Sequence, residues 1–334
     1  MLGARVQPTP SLPHYTQTSQ QKLSIEGNIK TLTMAATIAR SDTNLTSVLW
    51  AHAVNSQKLL DEALAGKIDM IEADIVLGTL ENDTSGQQIP VMGHPPANVS
   101  DITLETFLTK ILDYNTLNPD RQKGVKLDFK STVVYEGSIG ILNSLWKRMT
   151  YPVWLNADIL PGPVNPTSIP VDANFFLSAS KNFSSAVLSV GWTTQWGPSF
   201  SEGAYNRSHV DAMIGAIQGN NITGSKHEIT FPVRAGIAAQ SLSELQRLYS
   251  SLNGTNKLTL TIWSSAGDRV DIEKLRELIF DFGVDKVYLD VPEEVSSKLD
   301  LGRNGASSLW PSLLKFSFMN LAMFFVTQIL STRN

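Results

Sequence analysis

Apolar residues are spaced differently in the first 45 residues and in the rest of the chain. Residues 1–45 are polar and are interrupted by prolines at positions 8, 10 and 13, which predicts an irregular N-terminal arm. From Thr46 onward, short apolar runs alternate with segments that keep apolar residues at helical spacing. Eight of the short runs predict β-strands, at 47–52, 70–76, 125–130, 153–158, 186–191, 230–235, 258–263 and 286–290.

The segments between the predicted strands carry signals for the start and end of helices. Ser56 and Gly66 bound one predicted helix, and Gly283 ends another. Ser241 followed by Glu244 predicts a capping box at the start of a third helix. Strands and helices therefore alternate almost throughout.

This alternation predicts a fold of the α/β class. Eight strand–helix units within 46–301 favour a closed (β/α)8 TIM barrel over an open doubly wound sheet, because no GxGxxG turn follows the first strand. The short run at 89–92 predicts an antiparallel hairpin partner for the second strand. Residues 302–334 remain as a hydrophobic C-terminal tail.

Net charge and cysteine content exclude several classes of partner and site. The formal net charge is −4 and the basic residues are scattered, which argues against a nucleic-acid partner. The chain contains no cysteine and therefore no disulfide, thiol nucleophile or thiolate metal site. A metal ion would be held by oxygen or histidine ligands.

Polar residues with a period of two lie on two of the predicted strands. Glu72 and Asp74 share one face of the second strand, and Asp128 and Lys130 share one face of the third. Catalytic residues of a (β/α)8 barrel lie where the strands end, so these side chains are expected to meet at the barrel mouth. Two histidines also follow strand ends in the sequence, His52 and His94.

These residue types suit metal-assisted phosphodiester chemistry. Glu72, Asp74 and Asp128 are oxygen ligands of the kind that Mg²⁺ or Ca²⁺ prefers. His52 and His94 suit a nucleophile or base and a general acid, and Lys130 suits a contact to phosphate. The alternative is that the charged residues form a salt-bridge network that only plugs the barrel.

The motifs HAVN, EAD, a following H, and DFK resemble the H-x-x-N, E-x-D, H and D-x-K signature of spider-venom phospholipase D, also called sphingomyelinase D. They are more distantly similar to the pattern of glycerophosphodiester phosphodiesterases, although Ala53 replaces the arginine that follows the first histidine there. The resemblance implies catalytic roles for His52 and His94, and substrate orientation by the Asn55 amide. The metal ligands that it implies are Glu72, Asp74 and Asp128, and the phosphate contact is Lys130.

Eight motifs between residues 47 and 295 resemble the menorin family more closely. They are WAHAVNS, MIEADIVL, PVMGHPP, GVKLDFKS, PVWLNADILPGP, LSVGWTT, FPVRAG and LTIWSS. This resemblance implies a barrel of the PLC-like phosphodiesterase type. It leaves two functions open: a metal-dependent phosphoric diester hydrolase or lyase acting on a phosphodiester or lysolipid, and a non-catalytic extracellular module that binds cell-surface proteins, as one branch of the family does in adhesion complexes.

Further residues are expected at the mouth. Arg234 on the sixth strand is the best replacement for the missing arginine, and Trp263 on the seventh is a candidate substrate contact. Trp154, Trp192 and Trp196 add to an aromatic wall that suits a lipid headgroup or a sugar. The alternative for these aromatic residues is a role in the core.

Glycosylation sequons and the tail bear on localisation. Seven N-x-S/T sequons favour an extracellular or cell-surface protein, whereas residues 1–20 lack an apolar core of signal-peptide length. The sequon asparagines are Asn44, Asn82, Asn98, Asn182, Asn206, Asn221 and Asn253. The tail is open to three interpretations: a docked amphipathic helix, a glycolipid-anchor signal, or a short membrane span, and the last two give membrane attachment.

Overall fold

A computed structural model of the protein describes residues 44–301 except 201, 253 and 255. The predicted tail and nearly all of the predicted arm lie outside the described residues. The strands are β1 Trp50–Ala51, β2 Met70–Leu80, β3 Ile89–Met92, β4 Val99–Ser100, β5 Gly124–Phe129, β6 Val153–Pro161, β7 Val187–Thr193, β8 Glu228–Arg234, β9 Leu258–Trp263 and β10 Val287–Asp290. The α-helices are α1 Gln57–Ala65, α2 Leu104–Leu117, α3 Thr132–Leu145, α4 Ala173–Ser180, α5 Arg207–Gly219, α6 Ala235–Ala238, α7 Leu242–Leu252, α8 Ile272–Phe282 and α9 Glu293–Leu299.

Eight parallel strands form a nearly closed barrel within the described part of the chain. Their order is β1-β2-β5-β6-β7-β8-β9-β10, and each strand pairs with its neighbours in this order. Side chains join the first and last strands, because the rings of Trp50 and Tyr288 lie 6.2 Å apart and His52 contacts Asp290. The predicted (β/α)8 fold is confirmed. β3 pairs antiparallel with β2, as the predicted hairpin requires.

Local signals account for most of the helix ends. The Ser56 side chain accepts a hydrogen bond from the backbone N–H of Leu59 and caps α1, and Gly283 ends α8 with φ of +93°. The capping box predicted for α7 was wrong. The Ser241 hydroxyl instead donates to the carbonyl of Ile237 and accepts from the backbone N–H of Tyr205.

The lower part of the barrel interior is aromatic. Trp50, Trp154 and Tyr288 are each no more than 5% exposed, and their rings meet edge to face with centroids 4.8–6.2 Å apart. Trp192 is 1% exposed and packs on Tyr205. The expected aromatic wall was therefore wrong for Trp154 and Trp192. Trp154 lies in the first half of β6, where side chains fill the core and not the mouth. The Trp192 indole N–H donates to the carbonyl of His209 on α5, so this ring packs against the helical layer.

No helix in the described ranges is long and apolar enough to cross a bilayer. The predicted attachment through residues 302–334 falls outside these ranges and stays a prediction.

Candidate metal and active site at the barrel mouth

Strand register brings the acidic residues of β2 and β5 side by side. Asp74 on β2 is paired with Asp128 on β5, and Asp128 is paired with Asn156 on β6. One oxygen each of Glu72, Asp74 and Asp128 lies within 4.8 Å of the others. Oxygens that bind one Mg²⁺ or Ca²⁺ at about 2.0–2.6 Å are at most about 5 Å apart, so these three residues fit a divalent cation.

The Lys130 ammonium bridges two of the three acids. Its Nζ lies 2.7 Å from Oδ1 of Asp74 and 2.6 Å from Oδ2 of Asp128. Burial disfavours the charged ammonium, but the attraction of Asp128 and Asp74 outweighs it and holds the pKa of Lys130 well above its usual value. In this structure Lys130 is thus the positive charge between Asp74 and Asp128.

Amide side chains hold the remaining oxygens of the two aspartates. Asn55 donates from Nδ2 to Oδ2 of Asp74 (2.8 Å) and accepts from the Asp74 backbone N–H (2.8 Å). Asn156 donates to Oδ1 of Asp128 (2.7 Å) and itself accepts from the Ser189 hydroxyl (2.6 Å). Both amides therefore fix the orientation of a carboxylate, and the expected contact of Asn55 with a substrate stays a prediction.

His52 lies between two buried carboxylates. Its Nδ1 is 2.9 Å from Oδ2 of Asp290 and 3.5 Å from Oε2 of Glu72. Burial lowers the pKa of His52, but the attraction of Asp290 and Glu72 is stronger and raises it to about 9. His52 is therefore an imidazolium at neutral pH in the metal-free protein.

The turn after β1 positions Glu72. Ala53 has φ of +53°, a left-handed conformation that is strained for a residue with a Cβ atom. In this conformation its backbone N–H donates to Oε2 of Glu72 at 2.8 Å. A backbone N–H at Ala53 thus contacts a metal-ligand candidate, at the position where the phosphodiesterases carry an arginine.

Burial and mutual repulsion raise the pKa of two mouth carboxyls. Burial, opposed in part by His52, raises the pKa of Glu72 to about 7, and burial together with Asp128 raises that of Asp158 to about 7. The pKa of Asp74 is lowered to about 2, because Lys130 and His94 outweigh the effect of burial. In the metal-free protein Glu72 and Asp158 are therefore partly protonated at neutral pH.

The fully ionised cluster has an excess of negative charge. Its acids are Glu72, Asp74, Asp128, Asp158 and Asp290, and its bases are His52, Lys126 and Lys130. Five acids against three bases leave a formal charge of −2. One divalent cation or two protons would balance this charge.

His94 lies at the rim, apart from the acids. It is exposed, and its Nδ1 lies 2.7 Å from its neighbour's carbonyl oxygen, that of Pro95. The backbone N–H of Gly93 donates to the carbonyl of Asp74 and anchors this loop to β2. The structure thus brings His94 near the mouth without a hydrogen bond to the carboxylates.

Arg234 is held by an acid of its own. Its guanidinium donates to both oxygens of Asp268, at 2.8 and 3.0 Å, and lies 4.9 Å from the centroid of the Trp263 ring. The Arg234 side chain is 12% exposed. Because Asp268 neutralises its charge, Arg234 is less available to a phosphate than the sequence suggested, and its role and that of Trp263 stay predictions.

Three residues of the cluster have no role predicted from the sequence: Asp158, Asp290 and Lys126. Asp290 lies 238 residues from His52 in the chain, and no local pattern links the two. Lys126 is 4% exposed and shares the period-two face of Asp128 and Lys130, so extending that pattern by one step toward the N-terminus would have found it.

Comparisons with known proteins agree on the family. The model of the Menorin N-terminal domain matches residues 44–296. The human protein FAM151B is 38% identical over 247 residues, which cover 74% of this chain and 83% of that protein.

Solved structures give only weak likenesses. The Ignisphaera aggregans GH53 catalytic domain is 13% identical, with a TM-score of 0.36, and the match covers 72% of this chain and 79% of that one. A xylose isomerase domain containing protein from Salmonella typhimurium is 10% identical, with a TM-score of 0.34, and covers 77% and 92%. These likenesses carry no functional argument. The family model and the human relative show that this chain belongs to the menorin family.

Proposed function

We propose that this menorin-family barrel is a metal-dependent phosphodiesterase that acts on a phosphodiester or lysolipid. The observation that carries the proposal is the cluster at the mouth, where three carboxylates lie within 4.8 Å of one another in a site with a formal charge of −2. Glu72, Asp74 and Asp128 would hold Mg²⁺ or Ca²⁺. When bound, such a cation supplies charge stabilisation at a phosphate oxygen.

Side chains of the protein would transfer the protons during hydrolysis. In hydrolysis, water forms a bond to phosphorus and the bond from phosphorus to one ester oxygen breaks. His52 would accept the proton from water, and His94 would donate a proton to the departing oxygen, giving a phosphomonoester and an alcohol. Lys130 would hold a non-bridging oxygen of the phosphate.

The charge state of His52 sets a condition on this mechanism. A pKa of about 9 makes it a proton donor and not a base at neutral pH. Much of that shift comes from Asp290 and Glu72. A cation bound to Glu72 would reduce the negative charge near His52 and lower the pKa of its imidazole, and the 2.9 Å contact with Asp290 would still fix the ring. The proposal therefore requires that turnover depend on the cation.

Turnover of the full chain with Mg²⁺ or Ca²⁺ tests the proposal. Choline-type glycerophosphodiesters and lysolipids are incubated with the protein, and ³¹P NMR follows the phosphomonoester. His52→Ala should lower turnover by about 10² or more and leave cation binding intact. His209→Ala is the matched control, because the His209 side chain caps α5 by accepting from the backbone N–H of Asn206 and makes no hydrogen bond to a residue of the cluster. A wild-type protein that binds the cation but leaves the whole panel intact would overturn the proposal.

A second candidate is a non-catalytic module that binds cell-surface proteins. The observation in its favour is that the Lys130 ammonium already contacts both Asp74 and Asp128, at 2.7 and 2.6 Å. A network satisfied by its own lysine can serve as a polar plug. Absence of both cation binding and turnover in the wild type would favour this function.

We also propose an extracellular or cell-surface location. Of the six sequon asparagines that the structure describes, five are exposed: Asn82, Asn98, Asn182, Asn206 and Asn221. Expression of the full chain behind a signal peptide, followed by glycosidase treatment, should lower its apparent mass. Treatment of the cells with a phosphatidylinositol-specific phospholipase C then tests the tail, because release supports an anchor and retention supports a span.

A further inference from the structure

Strands β6 to β9 bring a second group of polar and aromatic residues to the mouth, beside the three acids. Asp158 lies two residues after Asn156 on β6 and shares its inward face. Arg234 ends β8 and is paired in register with Trp263, which ends β9. On β7 between them, the residue paired with Asp158 is Gly191, which has no side chain.

The Asp158 carboxyl has both oxygens available to a ligand. Within the described part of the chain, neither oxygen accepts a hydrogen bond and no cationic nitrogen lies within 4.0 Å, although the residue is half-buried. A Cβ atom on Gly191 would lie 2.8 Å from Oδ1 of Asp158 and 2.8 Å from Cγ of Pro232 on β8. The missing Cβ therefore lets the carboxyl lie over β7, toward β8. The strand register shifts directly after Asp158, an irregularity of the kind that re-aims side chains beside active sites.

Arg234 is held so that one end of its guanidinium stays available. Nε and Nη2 donate to Asp268, and Nη2 also lies 3.4 Å from the Ser265 hydroxyl. Nη1 donates no hydrogen bond to a described residue. Because Asp268 neutralises the charge, this free end suits a neutral hydroxyl better than a second phosphate charge.

Together the two residues offer acceptors and a donor on either side of Gly191. A hydroxyl both donates and accepts, so a pair of neighbouring hydroxyls complements the Asp158 carboxyl and the Arg234 N–H groups. A quaternary ammonium would instead need a cage of aromatic faces, and the Trp263 ring already lies 4.9 Å from the Arg234 guanidinium. The arrangement therefore favours a polyol over a choline group.

We infer that Asp158 and Arg234 bind a vicinal diol in the alcohol part of the substrate. The inference rests on the phosphodiesterase function proposed above and names its substrate class, a phosphodiester of a polyol such as glycerol or a sugar. Gly191 is required because any larger residue would displace the Asp158 carboxyl.

Three phosphodiesters of choline test the inference: those of glycerol, of glucose and of 1-propanol. The first two carry vicinal hydroxyls and the third carries none. Calorimetry with Ca²⁺ uses the full chain carrying His52→Ala, so that the diesters stay intact. At least one of the two diols should bind about tenfold or more tightly than the propyl diester, and which one does so identifies the polyol.

Variants in the same background locate the preference. Asp158→Ala should reduce the ratio of the affinities to within about twofold, and Arg234→Gln and Gly191→Ala should also lower it. Changes at the cation site act on all three diesters and cancel in this ratio. Gly215→Ala, on the exposed side of α5, is the matched control, because an added methyl group there crowds no described side chain. Asp158→Asn keeps the shape of the side chain and should lower the ratio by about threefold if the alanine variant does not fold.

Equal affinity for the three diesters, no binding of any of them, or a ratio unchanged in the folded Asp158 variants would overturn the inference. Turnover by the wild type is measured separately. Preferential binding of a diol without turnover would support the inference and overturn the proposed phosphodiesterase. Turnover at the same kcat/KM for all three diesters would support the phosphodiesterase and overturn the inference.

Discussion

Cation binding at the mouth is predicted to release protons. At pH 6.5, carboxyls with a pKa of about 7 are each about three quarters protonated, and Glu72 and Asp158 are two such groups. A divalent cation that balances the charge of −2 takes the place of these protons. Glu72 and Asp158 should therefore release about 1.5 protons on binding at pH 6.5 and about 0.2 at pH 8, because the metal-free carboxyls are then mostly ionised. A His52 imidazolium whose pKa falls on binding would add up to about one proton at either pH.

The same linkage sets the pH dependence of affinity. If both carboxyls are fully ionised in the cation-bound protein, the association constant should rise roughly 15-fold between pH 6.5 and pH 8. Isothermal titration calorimetry in buffers of different ionisation enthalpy counts the released protons directly. Asp158→Asn should lower the release at pH 6.5 by about 0.75 protons. Cation binding that is independent of buffer and of pH would refute the charge-balance reasoning.

Three more predictions concern single perturbations. Asp74→Asn removes one charged ligand and should abolish cation binding in calorimetry, and binding at wild-type affinity would exclude Asp74 as a ligand. Glu72, Asp158 and His52 have pKa values raised above their unfolded values, so the folded metal-free protein binds more protons than the unfolded protein. Its free energy of unfolding should therefore fall as the pH rises through about 7 and then about 9. Urea titrations between about pH 5 and 9.5 measure this fall. Ala53→Gly removes the strain at φ of +53° and should leave the free energy of unfolding unchanged or raise it by up to about 1 kcal/mol. A fall in the free energy of unfolding of more than about 1 kcal/mol would show that the Cβ of Ala53 is needed.

The sequence predicted the barrel because its signals are local. Alternating apolar runs and helical segments mark the eight strands, and the run Ile89–Met92 marks the hairpin. The period of two also places Glu72 with Asp74, and Asp128 with Lys130, on shared faces. Parallel register then brings these faces together at one end of the barrel.

The partners of the charges could not be predicted, because they depend on long-range geometry. Asp290 meets His52 only because β10 returns to β1, and Asp268 reaches Arg234 from a loop after β9. Trp154 shows the same limit. Trp154 and Asn156 are two residues apart on β6, so both side chains point into the barrel. Trp154 comes earlier in the strand, so its ring lies in the aromatic core and not at the mouth.

The proposed function depends first on one divalent cation held by Glu72, Asp74 and Asp128. A crystal structure of the full chain grown with Mn²⁺, with anomalous data collected, tests it most directly. A single anomalous peak is expected at about 2.0–2.6 Å from an oxygen of each of the three carboxylates. A map without a peak at the mouth, with the Lys130 ammonium still bridging Asp74 and Asp128, would contradict it.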